Sequence, residues 1–274
     1  MYTHKKRILF LLIHGMLVGP WCWNFLSKKL SEKSYNVVAL ALKGHGEERE
    51  EFASRLGTFG ISDYVDDLKR KIDVIKKQYP KHQIILVGHS MGGLLTQILI
   101  SKDPKAYHAG ILITPAAPAG ILSFEPSILR SFSPHFFKWN FWNKTILFSR
   151  KKAVYALLDG LDEEVQERFL ANMQEESGRA AAEIGFWFVK ALLHPFNKNA
   201  CVTKVDYEKV IHPLLFIGAE HDRITPERIV RKNAGKYQNA RYVKLSDKPH
   251  FILEEKLLFE MIMLFASLNN QTLK

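Results

Sequence analysis

The chain has 274 residues, 47% of them hydrophobic, enough to bury a full core as one domain with room for an insertion. Lys and Arg number 39 against 28 Asp and Glu, a net charge of +11, but the lysines are scattered: Lys28-Lys29, Lys69 to Lys71, Lys76-Lys77, Lys151-Lys152. No basic block with interleaved aromatics and no nucleic-acid motif accompanies them, which argues against a nucleic-acid partner. The surplus reads as a solvated basic surface, with peripheral attraction to anionic membranes or substrates as its second consequence.

Cys22 and Cys201 have neither metal-ligand spacing nor the numbers for a disulfide framework. Lys5-Lys6-Arg7 ahead of Ile8 to Ile13 imitates a secretory signal, yet the apolar run is short and ends at His14-Gly15 without a small-residue cleavage site. No run reaches the ~18 apolar residues of a membrane span. The expectation is a reduced, cytoplasmic protein without a membrane span.

Residues 8–13 are apolar on both faces, as a central parallel strand must be. Pro20 opens a helix to about Lys33, with Trp23, Leu26 and Leu30 on one side. Asn36 to Leu42 is a second strand, followed by Lys43-Gly44-His45-Gly46 and a Glu-rich loop. Ser62 suits an N-cap, with Asp63 in the first turn, for a helix that buries Val65, Leu68, Ile72 and Ile75 and stops at Pro80. A strand from Gln83 leads into Gly88-His89-Ser90-Met91-Gly92-Gly93, after which Leu94, Leu95, Ile98 and Leu99 recur at helical spacing. Ala109 to Thr114 is a fourth strand, closed by Pro115 and Pro118. From 119 to 205 no strand-like run occurs, only aromatic-rich helical segments around 132–142 and 183–193. Alternation then resumes with a strand at 214–217, a helix from Pro226, a strand at 241–245 and an amphipathic helix over 254–268. The pattern predicts an α/β fold: a doubly wound, mostly parallel sheet of about six strands with helices on both faces. Residues 1–118 and 206–274 form its core, and 119–205 an inserted helical cap.

The G-x-S-x-G stretch carries the chemistry. A serine hydroxyl attacks only when a base takes its proton and its oxygen stands clear of the backbone. A sharp strand-to-helix turn supplies that exposure, with small residues two before and two after Ser90 letting the chain cross close to itself. The helix N-terminus beyond it offers unpaired N–H groups to a developing oxyanion. Among eleven histidines, His250 follows the last strand and precedes the last helix, which puts it on the strands' carboxyl rim with Ser90. Asp222 and Glu220 follow the preceding strand; Asp222 is favoured because Arg223-Ile224-Thr225-Pro226 turns into a helix directly beyond it. A pairing of Asp222 with Arg223 or Arg228 is the plainer alternative.

The order Ser90, Asp222, His250 is the nucleophile–acid–base order that accompanies such turns. With His14-Gly15, Lys43 to Gly46, Gly88 to Gly93, Gly218 to Pro226 and Pro249 to Glu255, the sequence resembles the α/β-hydrolase fold family over nearly all of its length. The resemblance implies oxyanion N–H groups from Met16 and Met91, and a structural role for His89 against the first loop. Two departures stand out. The family usually begins with a pair of strands ahead of the His-Gly strand, and only seven residues precede Ile8, so the strand from Asn36 is expected at an exposed edge. The family's Asp-x-Arg-Gly-His-Gly reads Ala41-Leu42-Lys43-Gly44-His45-Gly46 here, without the aspartate.

These readings converge on a serine hydrolase acting through an acyl-enzyme on a small-molecule carboxylic ester or thioester of an apolar acyl group, with no cofactor or metal. C–C bond hydrolysis on the same residues and a non-catalytic ligand-binding role are the alternatives. Trp21, Trp139 and Trp142 are candidate substrate-pocket residues, with packing as their other reading. A homodimer is compatible with the sequence.

Overall fold

The computed structural model describes residues 7–123, 125–193 and 201–270; Lys5 and Lys6, and the parts of the inserted segment at 124 and 194–200, lie outside them. The elements run β1 (Ile8–Ile13), a 3-10 turn (Pro20–Trp23), α1 (Asn24–Glu32), β2 (Asn36–Leu40), the short α2 (Arg49–Phe52), α3 (Ile61–Gln78), β3 (Gln83–His89), α4 (Met91–Lys102) and β4 (Ala109–Ile113). The insertion holds α5 (Pro126–Phe136), β5 (Thr145–Ile146), α6 (Arg150–Ala153) continued by a π-helical turn, α7 (Glu163–Asn172), β6 (Glu176–Ser177), α8 (Gly178–Gly185) and α9 (Trp187–Leu193). Then come β7 (Leu214–Ala219), α10 (Glu227–Ala234), β8 (Ala240–Leu245) and α11 (Lys256–Asn270).

Six strands form one sheet in the order β2-β1-β3-β4-β7-β8, every pair parallel. Alternate residues of β1 face opposite layers. Phe10 and Leu12 pack with Leu26 and Leu30 of α1 and with Leu258, Ile262 and Phe265 of α11. Leu9, Leu11 and Ile13 pack with α3, α4 and Val230 of α10. α4 is buried from Met91 to Ser101, and so its sequence is apolar nearly all round rather than striped. β2 lies at the sheet's edge and is mostly half-buried.

The strand order reverses direction between β1 and β3, which leaves a crevice beyond their carboxyl ends. Register brings the strand ends level: Ile13 opposite Gly88, His89 opposite Ile113, Ile113 opposite Ile217, Ala219 opposite Leu245. The loops after β1, β3, β7 and β8 therefore emerge along one rim.

Two expectations change. The cap of α3 is Gly60, not Ser62: Asp63 reaches back to accept the Gly60 N–H at 2.8 Å, and Glu183 of the insertion accepts the Ile61 N–H at 2.8 Å. The insertion is not strand-free, because Thr145–Ile146 and Glu176–Ser177 pair antiparallel. Two-residue strands are too short to show alternation in sequence.

That ribbon brings a carboxylate into the interior. Glu176 is fully buried; its Oε1 accepts from the Tyr64 hydroxyl at 2.6 Å and the Ser177 N–H at 2.7 Å, and its Oε2 lies 3.3 Å from His45 Nε2. The His45 contact is off the hydrogen-bond direction, so its attraction depends on a proton carried by His45. Burial disfavours charge on both groups, but each outweighs it for the other: the His45 pKa rises above 6.5 and that of Glu176 falls below 4.5. A raised histidine stabilises below its unfolded pKa and loses that contribution as pH rises through the folded one. A depressed carboxylate stabilises above its unfolded pKa and loses the contribution as pH falls. The pair therefore contributes most between pH 4.5 and 6.5. Glu176→Ala should cost about 3–5 kcal/mol, the usual loss when one partner of a buried ion pair is removed. Glu176→Gln keeps an acceptor for Tyr64, and its melting-temperature deficit should be largest in that pH window and shrink above it. A deficit independent of pH between 5 and 9 would show that the pair is not ionised.

Candidate active site

Ser90 joins β3 to α4 in a conformation few non-glycine residues adopt, φ 53° and ψ −120°. The backbone closes tightly around it. A Cβ on Gly92 would stand 2.1 Å from the Ile13 carbonyl oxygen, and one on Gly88 2.3 Å from that of Gly92. The Ser90 N–H donates to Ile113 O at 3.0 Å, and its carbonyl accepts from Gly93 and Ala116 at 2.9 Å each. β4 and its following loop thus hold the turn.

His250 follows β8. Its Nδ1 lies 2.7 Å from Asp222 Oδ2, both side chains essentially without solvent contact. Asp222 is itself anchored: Oδ1 accepts the N–H groups of Ile224 at 2.8 Å and Thr225 at 2.7 Å, and Oδ2 lies 2.7 Å from the Thr225 hydroxyl. Burial opposes its charge, but His250 and these donors outweigh burial and hold the carboxyl below its ordinary 3.8. The arginine alternative falls away, since Arg223 pairs with Asp159 and Arg228 with Glu125. Glu220 is exposed and bound to Lys244 at 2.7 Å and the Asp247 N–H at 3.2 Å; with His221 and Asp247 it forms an outward cluster away from His250. The His250 carbonyl takes the Thr114 hydroxyl at 3.2 Å and His89 Nε2 at 3.3 Å. Burial first, then His250, lower the His89 pKa to about 3, so His89 is a neutral donor packed between Gly15 and His250.

Met91 opens α4, whose first turn leaves its N–H without an intrahelical acceptor. Neither it nor the Met16 N–H donates to a protein acceptor among the described hydrogen bonds. The Gly15–Met16 peptide is oriented by His14. The Leu42 N–H donates to His14 Nε2 at 3.1 Å, so the ring proton sits on Nδ1 and donates to Gly15 O at 2.8 Å. Burial, then the neighbouring His45, lower the His14 pKa to about 3 and keep this neutral form. Fixing the carbonyl of a planar peptide fixes the direction of its N–H, here that of Met16.

Ser90, Met16 and Met91 open into a cavity of about 100 Å³. Ala116, Ile224, Thr225 and Ile229 wall it from the core, and Ile121, Ile128, Phe132, Phe136, Ile184, Phe186 and Trp187 from the insertion. Ile121 and Ile184 carried no signal in sequence, since nothing local says which apolar face of the insertion turns inward, whereas Trp187 stands in the aromatic run 186–188 that sequence offered as a pocket wall. Thr225 did carry one: it sits three residues beyond an aspartate, a spacing that suits a side-chain-capped turn.

The three tryptophans are corrected. Trp139 is 85% exposed: α5 presents Phe132 and Phe136 to the cavity at helical spacing, ends there, and releases Trp139 outward ahead of a left-handed turn at Asn140. Trp142 lines a separate surface hollow with Phe141 and Val189. Trp21 packs edge-on against Phe169, 5.7 Å away, and does not line the Ser90 cavity.

Residues 10–256 match the model of the Alpha/beta hydrolase family. Methylesterase 17 of Arabidopsis thaliana is 35% identical over 109 residues, 40% of this chain and 37% of the relative. Methylesterase 10 of the same plant is 30% identical over 110 residues, 40% of this chain and 38% of the relative. These matches span well under half the length of either relative. Among solved structures, a methylesterase from Arabidopsis superposes with a TM-score of 0.71 at 17% identity, over 95% of this chain and 99% of the other. Tomato methylketone synthase I complexed with 2-tridecanone gives 0.71 at 16% identity, over 95% and 98%. At such identities the superpositions show the fold.

The geometry separates the two carboxylates by experiment. A fluorophosphonate should label Ser90, and Asp222→Asn should slow labelling by about four orders of magnitude, because an amide favours the wrong imidazole tautomer. Glu220→Gln should stay within about twofold, having lost only an exposed ion pair. Equal losses in the two variants would overturn the assignment of Asp222.

Proposed function

Because this chain belongs to the alpha/beta hydrolase family, we propose that it is a serine hydrolase cleaving carboxylic esters with an apolar acyl group. One observation carries the reading: a serine in a strained strand-to-helix turn opens into an apolar cavity, on the rim where a buried Asp222–His250 pair stands at 2.7 Å.

His250 takes the Ser90 proton as the oxygen attacks the ester carbonyl, while Asp222 holds the Nδ1–H tautomer and offsets the imidazolium charge. The Met16 and Met91 N–H groups receive the oxyanion, their directions set beforehand by His14 and by α4. His250 then returns the proton to the departing alcohol. In the second half it activates water against the acyl-enzyme, which releases the acid and restores Ser90. Thioesters meet the same requirements. The insertion acts as the cap that shuts water out and sizes the acyl group.

Methyl esters are the first substrates to test, since relatives named methylesterases align with the chain. At about 100 Å³ the cavity is smaller than the roughly 150 Å³ apolar void that accepts benzene, so short apolar groups fit with the cap closed. A longer chain requires Phe136 and Phe186 to move.

Ser90→Ala should leave less than about a thousandth of the wild-type rate on such esters with the melting temperature preserved. More activity than that in the variant would remove Ser90 from the mechanism. Phe132→Ala and Phe186→Ala should each move the preference between neighbouring acyl lengths by roughly tenfold, one methylene in an apolar pocket being worth about 1–3 kcal/mol. Trp139→Ala should leave that preference unchanged. If all three behave alike, the acyl group does not lie against the cap.

A further inference from the structure

The outer side of the insertion is apolar where a water-facing surface should be polar. Phe137 and Trp139 are 89% and 85% exposed, Trp139 meets Trp142 edge-on at 5.8 Å, and Leu147 and Val189 are exposed nearby. Single exposed apolar side chains are ordinary, but clustered aromatics mark an interaction surface. Charge identifies what it meets. From Pro126 to Leu158 the chain has no Asp or Glu, while Arg130, Lys138, Lys144, Lys151 and Lys152 fall within it; Arg150 is paired with Glu167, and Glu175 is the carboxylate that shares a hollow with Lys138 and Lys144. Lys138 lies between Phe137 and Trp139, and Lys144 two residues beyond Trp142, both exposed. Aromatic rings interleaved with lysines suit the headgroup zone of a bilayer, where rings sit at the interface and ammonium groups reach anionic lipids.

We propose that this face is a peripheral docking surface for an anionic lipid bilayer. A second copy of the chain fits it poorly. A two-fold interface sets the same patch against itself, which would bring Lys138 and Lys144 toward their own copies in a chain already at +11. Docking is peripheral, since among the described residues no helix is long and apolar enough to cross a membrane. The placement also serves the Ser90 site, and this part rests on the hydrolase reading. The hollow beneath Trp142, about 670 Å³, shares Phe136 and Phe186 with the Ser90 cavity. One layer of aromatic rings thus separates the membrane-facing side from the nucleophile, a route for apolar esters that partition into lipid.

The test is sedimentation of the full chain with phosphatidylcholine vesicles, with and without phosphatidylserine, carried out on the Ser90→Ala variant so that no turnover is needed. Binding should require phosphatidylserine and weaken with salt. Lys138→Gln with Lys144→Gln should lower partitioning roughly 25-fold, at about fivefold for each lysine. Phe137→Ser with Trp139→Ser should do so by at least roughly tenfold through lost apolar burial. In a Ser90-containing chain, neither pair should change hydrolysis of a soluble short ester. Equal binding to both vesicle types, or variants that bind like the parent, would overturn the proposal. So would a dimer in sedimentation equilibrium that Phe137→Ser with Trp139→Ser converts to monomer, since a second copy would then cover the face.

Discussion

The turn at Ser90 is the constraint to which the other parts answer. A left-handed φ at a serine is unfavourable, and it persists only where surrounding structure over-determines it. Here β1 approaches so closely that position 92 has no room for a side chain, while β4 and its loop bond the serine's backbone on both sides. The close approach of β1 to α4 also sets the Gly15–Met16 peptide beside the serine, where a Cβ on Gly15 would stand 2.7 Å from Ser90 Cβ. Ser90 and the Gly15–Met16 loop are thus placed by one packing event at the reversal point of the sheet.

Burial pushes the interior histidines His14, His89 and His45 toward the neutral form, and only at His45 is that push reversed. His14 and His89 are neutral because burial outweighs everything else, and each serves as a hydrogen-bonding strut, one to Gly15 and one to His250. His45 is equally buried, but the facing Glu176 carboxylate outweighs burial and raises its pKa above the ordinary value. His45 also lies 5.1 Å, ring to ring, from His14. A chain of contacts therefore runs from the insertion through Glu176, His45 and His14 to the peptide that presents the Met16 N–H. With Glu183 on the N-terminus of α3, two carboxylates tie the insertion to the core at polar points that apolar packing alone would leave free to slide.

The insertion has two aromatic faces with different solvent histories. Phe132, Phe136 and Phe186 turn inward, and Phe136 and Phe186 meet edge-on at 4.9 Å between the cavity and the outer hollow. Phe137 and Trp139 turn outward. Sequence density could not divide them, because the division depends on where α5 stops, and that is one residue before Phe137.

The sequence by itself determined the alternation that makes a parallel sheet, the strand–serine–helix turn and the position of His250 on the strands' carboxyl rim. These are local patterns: apolar runs, glycine spacing and punctuation by proline, each readable within a few residues. It also ranked Asp222 above Glu220 from the turn that follows. Only the tertiary structure decided that Asp222 lies 2.7 Å from His250, that Thr225 anchors it, and that Trp21, Trp139 and Trp142 are not among the residues lining the Ser90 cavity. Glu176 was invisible among other acidic residues, and Gly60 displaced Ser62 as a cap because a glutamate 122 positions from Ile61 completes that helix start. Those outcomes depend on which distant segment arrives to satisfy a buried polar group or cover an apolar face, and no window of sequence contains both partners.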